Sequence, residues 1–343
     1  MANPVAGDVH VNVPLTNISI AFMQSADSFV ADRVFPNIPV QKQSDRYFRY
    51  DRSDFWRNQF QSRAPGTESA GSGWKIDSSP TYFADVKALH KDIDDQIRSN
   101  ADNPLDMDRD ATLFLSQQAM IGREVTWASS YFTTGVWTGI TGSAADVTGV
   151  AASPISASNE VLQWDNSNGT PIQDVKLQAD NSQLRTGLRP NKLVLGRQVW
   201  TKTSESPSLV DRIKYSGGVS PATPAKVSLA AAATLFEVDE VMVAAGVQAT
   251  SPENPAFETS LTTSFIAGKR ALLVYSNPAP SLLSPSGGYT FSWVGYLNAG
   301  GMGQRIKKFR MEWLSSDRVE GEMAYDQKLV CSDCGVFFNS IIS

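Results

Sequence analysis

Residues that could perform acid–base chemistry are scarce in this chain. It contains two histidines, His10 and His90, although histidine is the side chain that most often transfers protons near neutral pH. We find no G-x-S-x-G elbow, no G-x-x-x-x-G-K-[ST] phosphate loop and no H-E-x-x-H pair. These absences predict a protein that is not an enzyme and has no cofactor.

Cysteine chemistry is limited to one C-x-x-C motif, Cys331-Ser332-Asp333-Cys334. A zinc site needs two more ligands, and neither a histidine nor a second C-x-x-C lies nearby in the sequence. Two cysteines also argue against a secreted fold framed by disulfides. We therefore favour buried or half-buried free thiols, with a redox or metal-binding role as the alternative.

Three clustered carboxylates resemble the start of a calcium-binding loop. They are Asp92, Asp94 and Asp95, but Ile97 stands where the sharp turn of such a loop needs glycine. We interpret the cluster as a solvated acidic stretch and expect no metal site.

Composition and charge narrow the class of protein. Apolar residues make up 41% of the 343 residues, enough to bury a sizeable core. The net charge of −5 argues against a uniformly basic surface that grips nucleic acid, although local basic patches stay open. We find no run of 18 apolar residues and no signal-peptide pattern after Met1, so we expect a soluble protein without a membrane partner.

The first elements along the chain are predicted to reach away from a compact body. Residues 1–44 read as an irregular arm whose apolar anchors, such as Phe22, Phe29, Val34 and Phe35, have few local partners. We expect the arm to be protected only in an assembly, the alternative being a floppy terminus.

Residues 45–90 read as a long hairpin with a Gly-rich tip, too long if fully extended to stay within one subunit. Broken limbs that fold back onto the body are the alternative.

The strongest helix signal follows this hairpin. Asp106, Asp108 and Asp110 stand at its start, where the helix dipole favours negative charge. Apolar residues at spacings of three, four and seven then mark one face: Ala111, Phe114, Ile121, Val125, Ala128 and Phe132. We expect a long rod on which other elements pack.

Beyond this helix, short helices and strands alternate, and a long closing hairpin runs through residues 304–331. This mixture predicts an α+β fold.

This order of elements resembles the major capsid protein of tailed bacteriophages, which has the Hong Kong 97 fold. The resemblance covers nearly the whole chain and is carried most by four segments: Arg189–Gly196, Leu235–Val241, Gly268–Tyr275 and Gly288–Trp293. It implies four parts: an N-terminal arm (1–44), an extended loop (45–90), a peripheral domain (91–169 and 294–343) with a spine helix (106–133), and an axial domain (170–293).

The resemblance also implies a function and its partners. It suggests subunits that assemble into pentamers and hexamers of an icosahedral shell, in a virion built in the host cytoplasm around double-stranded DNA. The implied partners are other copies of the chain, a separate scaffolding protein, a portal and a decoration protein, with DNA contacted without sequence preference. The alternatives are an encapsulin-type compartment shell, or an enzyme or binding module of a virion.

Two oppositely charged segments suggest how subunits meet. Residues 41–63 carry six basic and three acidic residues, whereas residues 91–110 carry seven acidic and three basic ones. We predict that the basic limb of one subunit lies over the acidic start of a neighbour's spine helix, since opposed patches steer encounter. The alternative is that both are solvated faces. The predicted contact residues are Arg46, Arg49, Arg52, Phe55, Trp56, Arg57, Arg63, Asp102, Asp106, Asp108 and Asp110.

Overall fold

The computed structural model describes most of the chain. The described residues are 23–101, 105–138, 146–152, 155, 157–216, 227–252, 261–277, 279, 285–297 and 304–343. Within them the fold is mixed, with helices and strands interspersed along the sequence. The helices are α1 (Ala31–Val34), α2 (Arg52–Trp56), α3 (Asp95–Ser99), α4 (Met107–Tyr131), α5 (Pro171–Thr186), α6 (Arg197–Ser204), α7 (Pro207–Ser216), α8 (Leu229–Phe236) and α9 (Val294–Leu297).

The strands form two main sheets and three small ladders. The first strands are β1 (Asn37–Val40), β2 (Ser44–Arg46), β3 (Arg49–Tyr50), β4 (Ile76–Asp77), β5 (Thr81–Phe83), β6 (Asp85–Asp94), β7 (Val147–Val150), β8 (Glu160–Leu162) and β9 (Lys192–Gly196). The later ones are β10 (Glu240–Ala244), β11 (Val247–Ala249), β12 (Thr263–Phe265), β13 (Ala271–Val274), β14 (Gly288–Trp293), β15 (Gln304–Met311), β16 (Ser316–Leu329) and β17 (Gly335–Asn339).

The first main sheet is built on β16. This 14-residue strand pairs with β15 and β6 over its first part and with β14 over its last, and β1 extends the sheet from β14. The predicted closing hairpin is therefore present as β15 and β16. A short 3₁₀ turn at Glu312–Leu314 joins them, with Ser315 in the left-handed region at a φ of 47°.

The second main sheet has the order β10-β9-β13-β17-β7-β8 and is covered on both faces. Its central strand β13 reads as a continuous apolar run for that reason, and all four of its residues are buried. Alternate residues face opposite sides. Leu273 and Phe338 pack towards Phe236 of α8, whereas Leu272 and Phe337 pack towards Trp127 of α4.

The long helix α4 connects the two sheets, as a rod would. Asp106 caps it by accepting hydrogen bonds from the backbone N–H groups of Asp108 and Arg109, both at 3.2 Å. Its first half packs on Ile93 and Val319 of the first main sheet through Ala111 and Leu115. The buried stripe differs from the predicted one, because Leu115 is buried and Phe114 is exposed.

The prediction that the arm is protected only in an assembly does not hold for residues 30–40, which are held within their own subunit. Val30, Val34 and Phe35 are fully buried in the cluster that contains Trp127, and β1 pairs in parallel with β14. These partners lie far along the sequence, so the local pattern could not show them. Phe22 lies outside the described residues.

The strand pairing also cuts across the predicted domain division. Residues 288–293, assigned to the axial domain, form β14 and pair with β16 of the first main sheet. Conversely, β7, β8 and β17 come from segments assigned to the peripheral domain and join the second main sheet. Sheet membership depends on long-range pairing, which the residue pattern within each strand does not specify.

The predicted hairpin at residues 45–90 is broken and shorter than expected. It consists of two ladders, β2 with β5 and β3 with β4, separated from a strand-free tip by the short helix α2. Its last predicted residues belong instead to β6, which pairs with β16 over ten residues. The extended limb therefore ends near Phe83, where the backbone N–H donates to Asp326 Oδ2 at 2.8 Å.

Candidate assembly surface

Large apolar side chains point into solvent along the loop between β2 and β5. We call residues 47–83, which include strand β5, the aromatic loop. Phe60 is 99% exposed and Trp74 is 65% exposed, so most of the apolar surface of both side chains stays in water. A concentration of exposed aromatics is typical of an interaction surface. The other large exposed apolar residues of the loop are Phe48, Tyr50, Phe55, Trp56, Ile76 and Phe83.

The base of the aromatic loop is fixed to the first main sheet. Tyr82 stacks on Phe291 of β14 with ring centroids 4.6 Å apart, and Tyr47 stacks on the same ring at 5.9 Å. Tyr82 and Phe291 are buried together with Tyr289. The loop therefore leaves the body from a buried aromatic anchor.

Helix α2 leans against the same subunit. Asp51 caps it by accepting a hydrogen bond from the Ser53 N–H at 2.9 Å, a contact that lowers the pKa of Asp51. The Trp56 ring lies against Gly187, where a Cβ would be only 3.1 Å from the ring. Gly187 ends α5 at a φ of 71°, a conformation that favours glycine. The alternative in which the loop folds back is thus partly realised.

The predicted basic contact residues occupy different environments. Arg49 forms an ion pair with Asp77 at 3.3 Å, and Arg52 forms one with Asp333 at 2.6 Å. Arg63 donates to the Thr67 carbonyl within the loop tip. Arg46 and Arg57 are exposed and take part in none of the ion pairs between described residues.

The predicted acidic contact residues are partly engaged within the subunit. Asp106 caps α4, and Asp108 binds Arg98 at 3.0 Å and Lys308 at 2.8 Å. Asp110 lies 3.4 Å from Arg109, and Asp102 lies outside the described residues. Across the part of the chain that the structure describes, no ion pair joins these aspartates to the basic limb. One subunit by itself does not bring the two segments together.

Sequence reasoning missed the cross-strand charge network that engages these aspartates. Hydrogen bonds from Arg98, and also from Arg310 and Lys308, lower the pKa of Asp317 to about 2. Arg318 makes two hydrogen bonds to Asp92, at 2.7 and 2.8 Å, across the β6–β16 ladder. The supposed solvated acidic stretch is therefore part of an ion-pair lattice, which only the strand register could have indicated.

A second exposed apolar patch lies at the tip of the β15–β16 hairpin. Trp313 is 81% exposed and Leu314 stands beside it, about half exposed. The closing hairpin is predicted from the sequence, but no contact role is assigned to these two residues. The available signal was two large apolar residues within a turn, where polar residues are usual.

The metal-ligating and thiol side chains of the described residues, and the length of their helices, bear on functions other than contact. Among them, no three His, Cys, Asp or Glu side chains converge as a metal site would require. Cys331 and Cys334 are free thiols, the first half-buried and the second buried. Within the same ranges, none of the helices has the length and apolarity to cross a membrane.

Comparison with known proteins identifies the architecture. No protein-family model matches the sequence, and no curated protein does so either. Solved structures do match, among them a phage-related protein from Bordetella bronchiseptica RB50, with 17% identity and a TM-score of 0.63 over 92% of both chains. The mature capsid of bacteriophage PhiM1 matches with 13% identity and a TM-score of 0.56, over 97% of this chain and 92% of that one. This is the Hong Kong 97-type capsid fold.

The capsid fold is also found outside phages. The SrpI encapsulin of Synechococcus elongatus PCC 7942 matches with 13% identity and a TM-score of 0.55, over 97% of this chain and 94% of that one. The α+β class and the capsid fold predicted from the element order are confirmed. Because phage capsids and an encapsulin match about equally well, the fold by itself does not say what a shell would contain.

Proposed function

We propose that this protein is a major capsid protein whose subunits assemble into the pentamers and hexamers of an icosahedral shell. The observation that carries the proposal is the aromatic loop, which presents Phe60 and Trp74 to solvent from a rigid base on a capsid fold. A subunit that worked alone would gain nothing from this exposure. Covering each aromatic in a neighbour would contribute roughly 1.5–3 kcal/mol.

The proposed shell encloses double-stranded DNA in a virion and is assembled in the host cytoplasm. A separate scaffolding protein, a portal and a decoration protein complete the set of proposed partners, and the DNA contact is without sequence preference. The acidic net charge of −5 supports a weak contact with DNA, because a packaged genome must also leave. The proposed role is assembly without intrinsic turnover.

The proposed parts of the subunit follow the two sheets. We propose a peripheral domain on the first main sheet and α4, an axial domain on the second main sheet, an arm at residues 1–44 and the extended loop that contains the aromatic loop. Strand β14 then belongs with the peripheral domain, and β7, β8 and β17 with the axial one, in agreement with the pairing.

Removing the exposed aromatics tests the proposal. Phe60→Ser with Trp74→Ser should leave a folded subunit and raise the concentration needed for assembly at least tenfold, because each lost contact removes more than about 1.4 kcal/mol. Light scattering and analytical ultracentrifugation would follow assembly. The matched control is Leu184→Ser on α5, which removes an apolar side chain that is 82% exposed but lies outside the loop. Equal assembly by both variants would contradict the assigned role of the loop.

A further inference from the structure

The C-x-x-C motif lies where the chain passes from one main sheet to the other. Strand β16 of the first sheet ends at Leu329 and β17 of the second begins at Gly335, so residues 330–334 form the crossing. The Cys331 N–H donates to the Gly287 carbonyl at 3.2 Å, and the Cys334 carbonyl accepts from the Tyr275 N–H at 2.8 Å. The segment from β13 to β14, which also passes between the two sheets, is therefore hydrogen-bonded to this one.

The two thiols are close enough to be oxidised to a disulfide. Residues Ser332–Cys334 form a single 3₁₀ turn, and the Cys334 N–H donates to the Cys331 carbonyl at 3.3 Å. With about 2 Å of rise per residue, three residues of such a turn separate two Cα atoms by about 6 Å, inside the range that a disulfide spans. The backbone would not have to move far.

The environments of the two thiols are unequal. Cys331 is half-buried and reachable from solvent, whereas Cys334 is fully buried. A hydrogen bond from Cys334 lowers the pKa of Cys331 to about 7, while the same contact and burial raise the pKa of Cys334. Such asymmetry gives one attacking thiolate and one resolving thiol.

Two arginines surround the turn. Arg52, from α2 in the aromatic loop, forms an ion pair with Asp333 between the two cysteines at 2.6 Å. Arg185, from α5, also lies close enough to interact electrostatically with both thiols. A cationic neighbourhood favours the thiolate form, which is the nucleophile in thiol–disulfide exchange.

We propose that Cys331 and Cys334 form a redox modification site that reacts with small-molecule disulfides of the glutathione class. The Cys331 thiolate attacks one sulfur of that disulfide, forms a mixed disulfide and releases a thiolate. Cys334 then loses its proton, and its sulfur attacks Sγ of Cys331 and releases the second small thiol. Two protein thiols are oxidised by two electrons, one disulfide is reduced, and the two protons pass to the released thiolates.

Oxidation has a structural consequence at the crossing. The disulfide closes a ring within the turn that joins the two sheets and removes the Cys331 thiolate, whose charge acts on Asp333, the residue that Arg52 binds. The docking of α2 is thereby coupled to the redox state of the motif, because Arg52 is bound to the residue between the cysteines. This inference does not depend on what the assembled protein encloses.

Equilibration of the full-length protein in glutathione redox buffers tests the proposal. After acid quenching and alkylation, mass spectrometry should show a Cys331–Cys334 disulfide in the native protein. Cys334→Ser should trap glutathione on Cys331, whereas Cys331→Ser should leave Cys334 unmodified until the protein is unfolded. No disulfide in any oxidising buffer, or faster reaction of Cys334 than of Cys331, would overturn the proposal.

The arginine contact is tested separately, by a rate. Arg52→Gln should slow alkylation of Cys331 at pH 7 by roughly three- to fivefold, because the Asp333 carboxylate, which raises the pKa of Cys331, is then no longer paired. Arg49→Gln is the matched control, since Arg49 lies in the same loop but pairs with Asp77. Equal rates in the two variants would overturn the coupling between α2 and the thiols.

Discussion

Glu124 is a carboxylate held out of water on the inner side of α4. Its Oε2 accepts hydrogen bonds from the backbone N–H groups of Val30 at 3.0 Å and Ala31 at 2.8 Å, which fastens α1 to the long helix. Burial raises the pKa of Glu124 to about 7, although these two hydrogen bonds oppose the rise, and the neighbouring Asp32 carboxylate raises it further. Arg123 pairs with Asp32 at 2.7 Å and completes the charged groups at this site.

The raised pKa makes stability depend on pH. Because the pKa of Glu124 in the folded protein is above the ordinary glutamate value of 4.5, the favourable contribution of protonated Glu124 is complete below about pH 4.5 and is lost as pH rises through about 7. The native protein should therefore lose about 2 kcal/mol of unfolding free energy between pH 5 and pH 8. Glu124→Gln should not show this loss, because glutamine does not titrate. Urea unfolding at the two pH values would measure the difference. Parallel pH dependence in the two proteins would contradict the assignment.

A companion substitution isolates the hydrogen bonds from the charge. Glu124→Ala removes the acceptor and leaves two buried N–H groups unpaired, so it should lower the free energy of unfolding at both pH values by about 1–3 kcal/mol. A loss of that size in the Ala variant but not in the Gln variant, at pH 8, would show that the acceptor matters more than the charge. Equal effects of the two substitutions would count against this role of Glu124.

At the scale of elements, the arm should be ordered before any assembly. Arg33 lies in α1 among fully buried neighbours, whereas Arg63 lies in the exposed tip of the aromatic loop. Trypsin should therefore cut free subunits after Arg63 well before Arg33, because cleavage needs local unfolding. Timed digestion with mass spectrometry would give the order. Early cleavage after Arg33 in free subunits would restore the sequence-based view of a segment protected only by assembly.

The charged contact between subunits is also an element-scale proposal. The structure neutralises Arg49, Arg52 and Asp108 within the chain, so we propose that Arg46, Arg57 and Arg63 are the residues that steer one subunit towards Asp106 and Asp110 of the next. Reversing these three arginines to Glu should slow assembly at low salt, with a smaller effect at high salt because screening weakens exposed charges.

The control for this reversal changes the same charge elsewhere. Arg197, Arg212 and Lys269 are exposed and lie outside the loop, and their reversal to Glu alters the net charge equally. Light scattering at two salt concentrations would compare the two triple variants. The steering proposal fails if both variants assemble at the same rate.

The elements whose signals are local could be predicted from the sequence, and those defined by distant partners could not. The apolar run at β13 and the Asp-capped start of α4 each carry their own pattern, and both are present. The membership of β14 in the first sheet and the burial of Phe35 depend on partners far along the chain. The place of Phe55 and Trp56 in a loop outside the body was predictable from the local sequence, whereas the pairing of Asp108 with Lys308 required the strand register.

At the scale of the whole molecule, the order of elements was sufficient to predict the fold. An arm, a loop, a long helix, a mixed unit and a closing hairpin occur in that sequence, and this order is less sensitive to local error than any strand boundary. Function is a further step, because the same fold is found in a phage capsid and in an encapsulin.

Electron microscopy of the purified protein is the most direct test of the proposed shell. Under conditions that promote assembly, we expect closed shells in which an icosahedral reconstruction resolves pentamers and hexamers, with the aromatic loop of each subunit covered by a neighbour. Nuclease-protected double-stranded DNA inside shells isolated from the native source would separate a viral capsid from a compartment that holds a cargo protein. Monomers or small open oligomers at every protein and salt concentration, with the aromatic loop still exposed, would contradict the account.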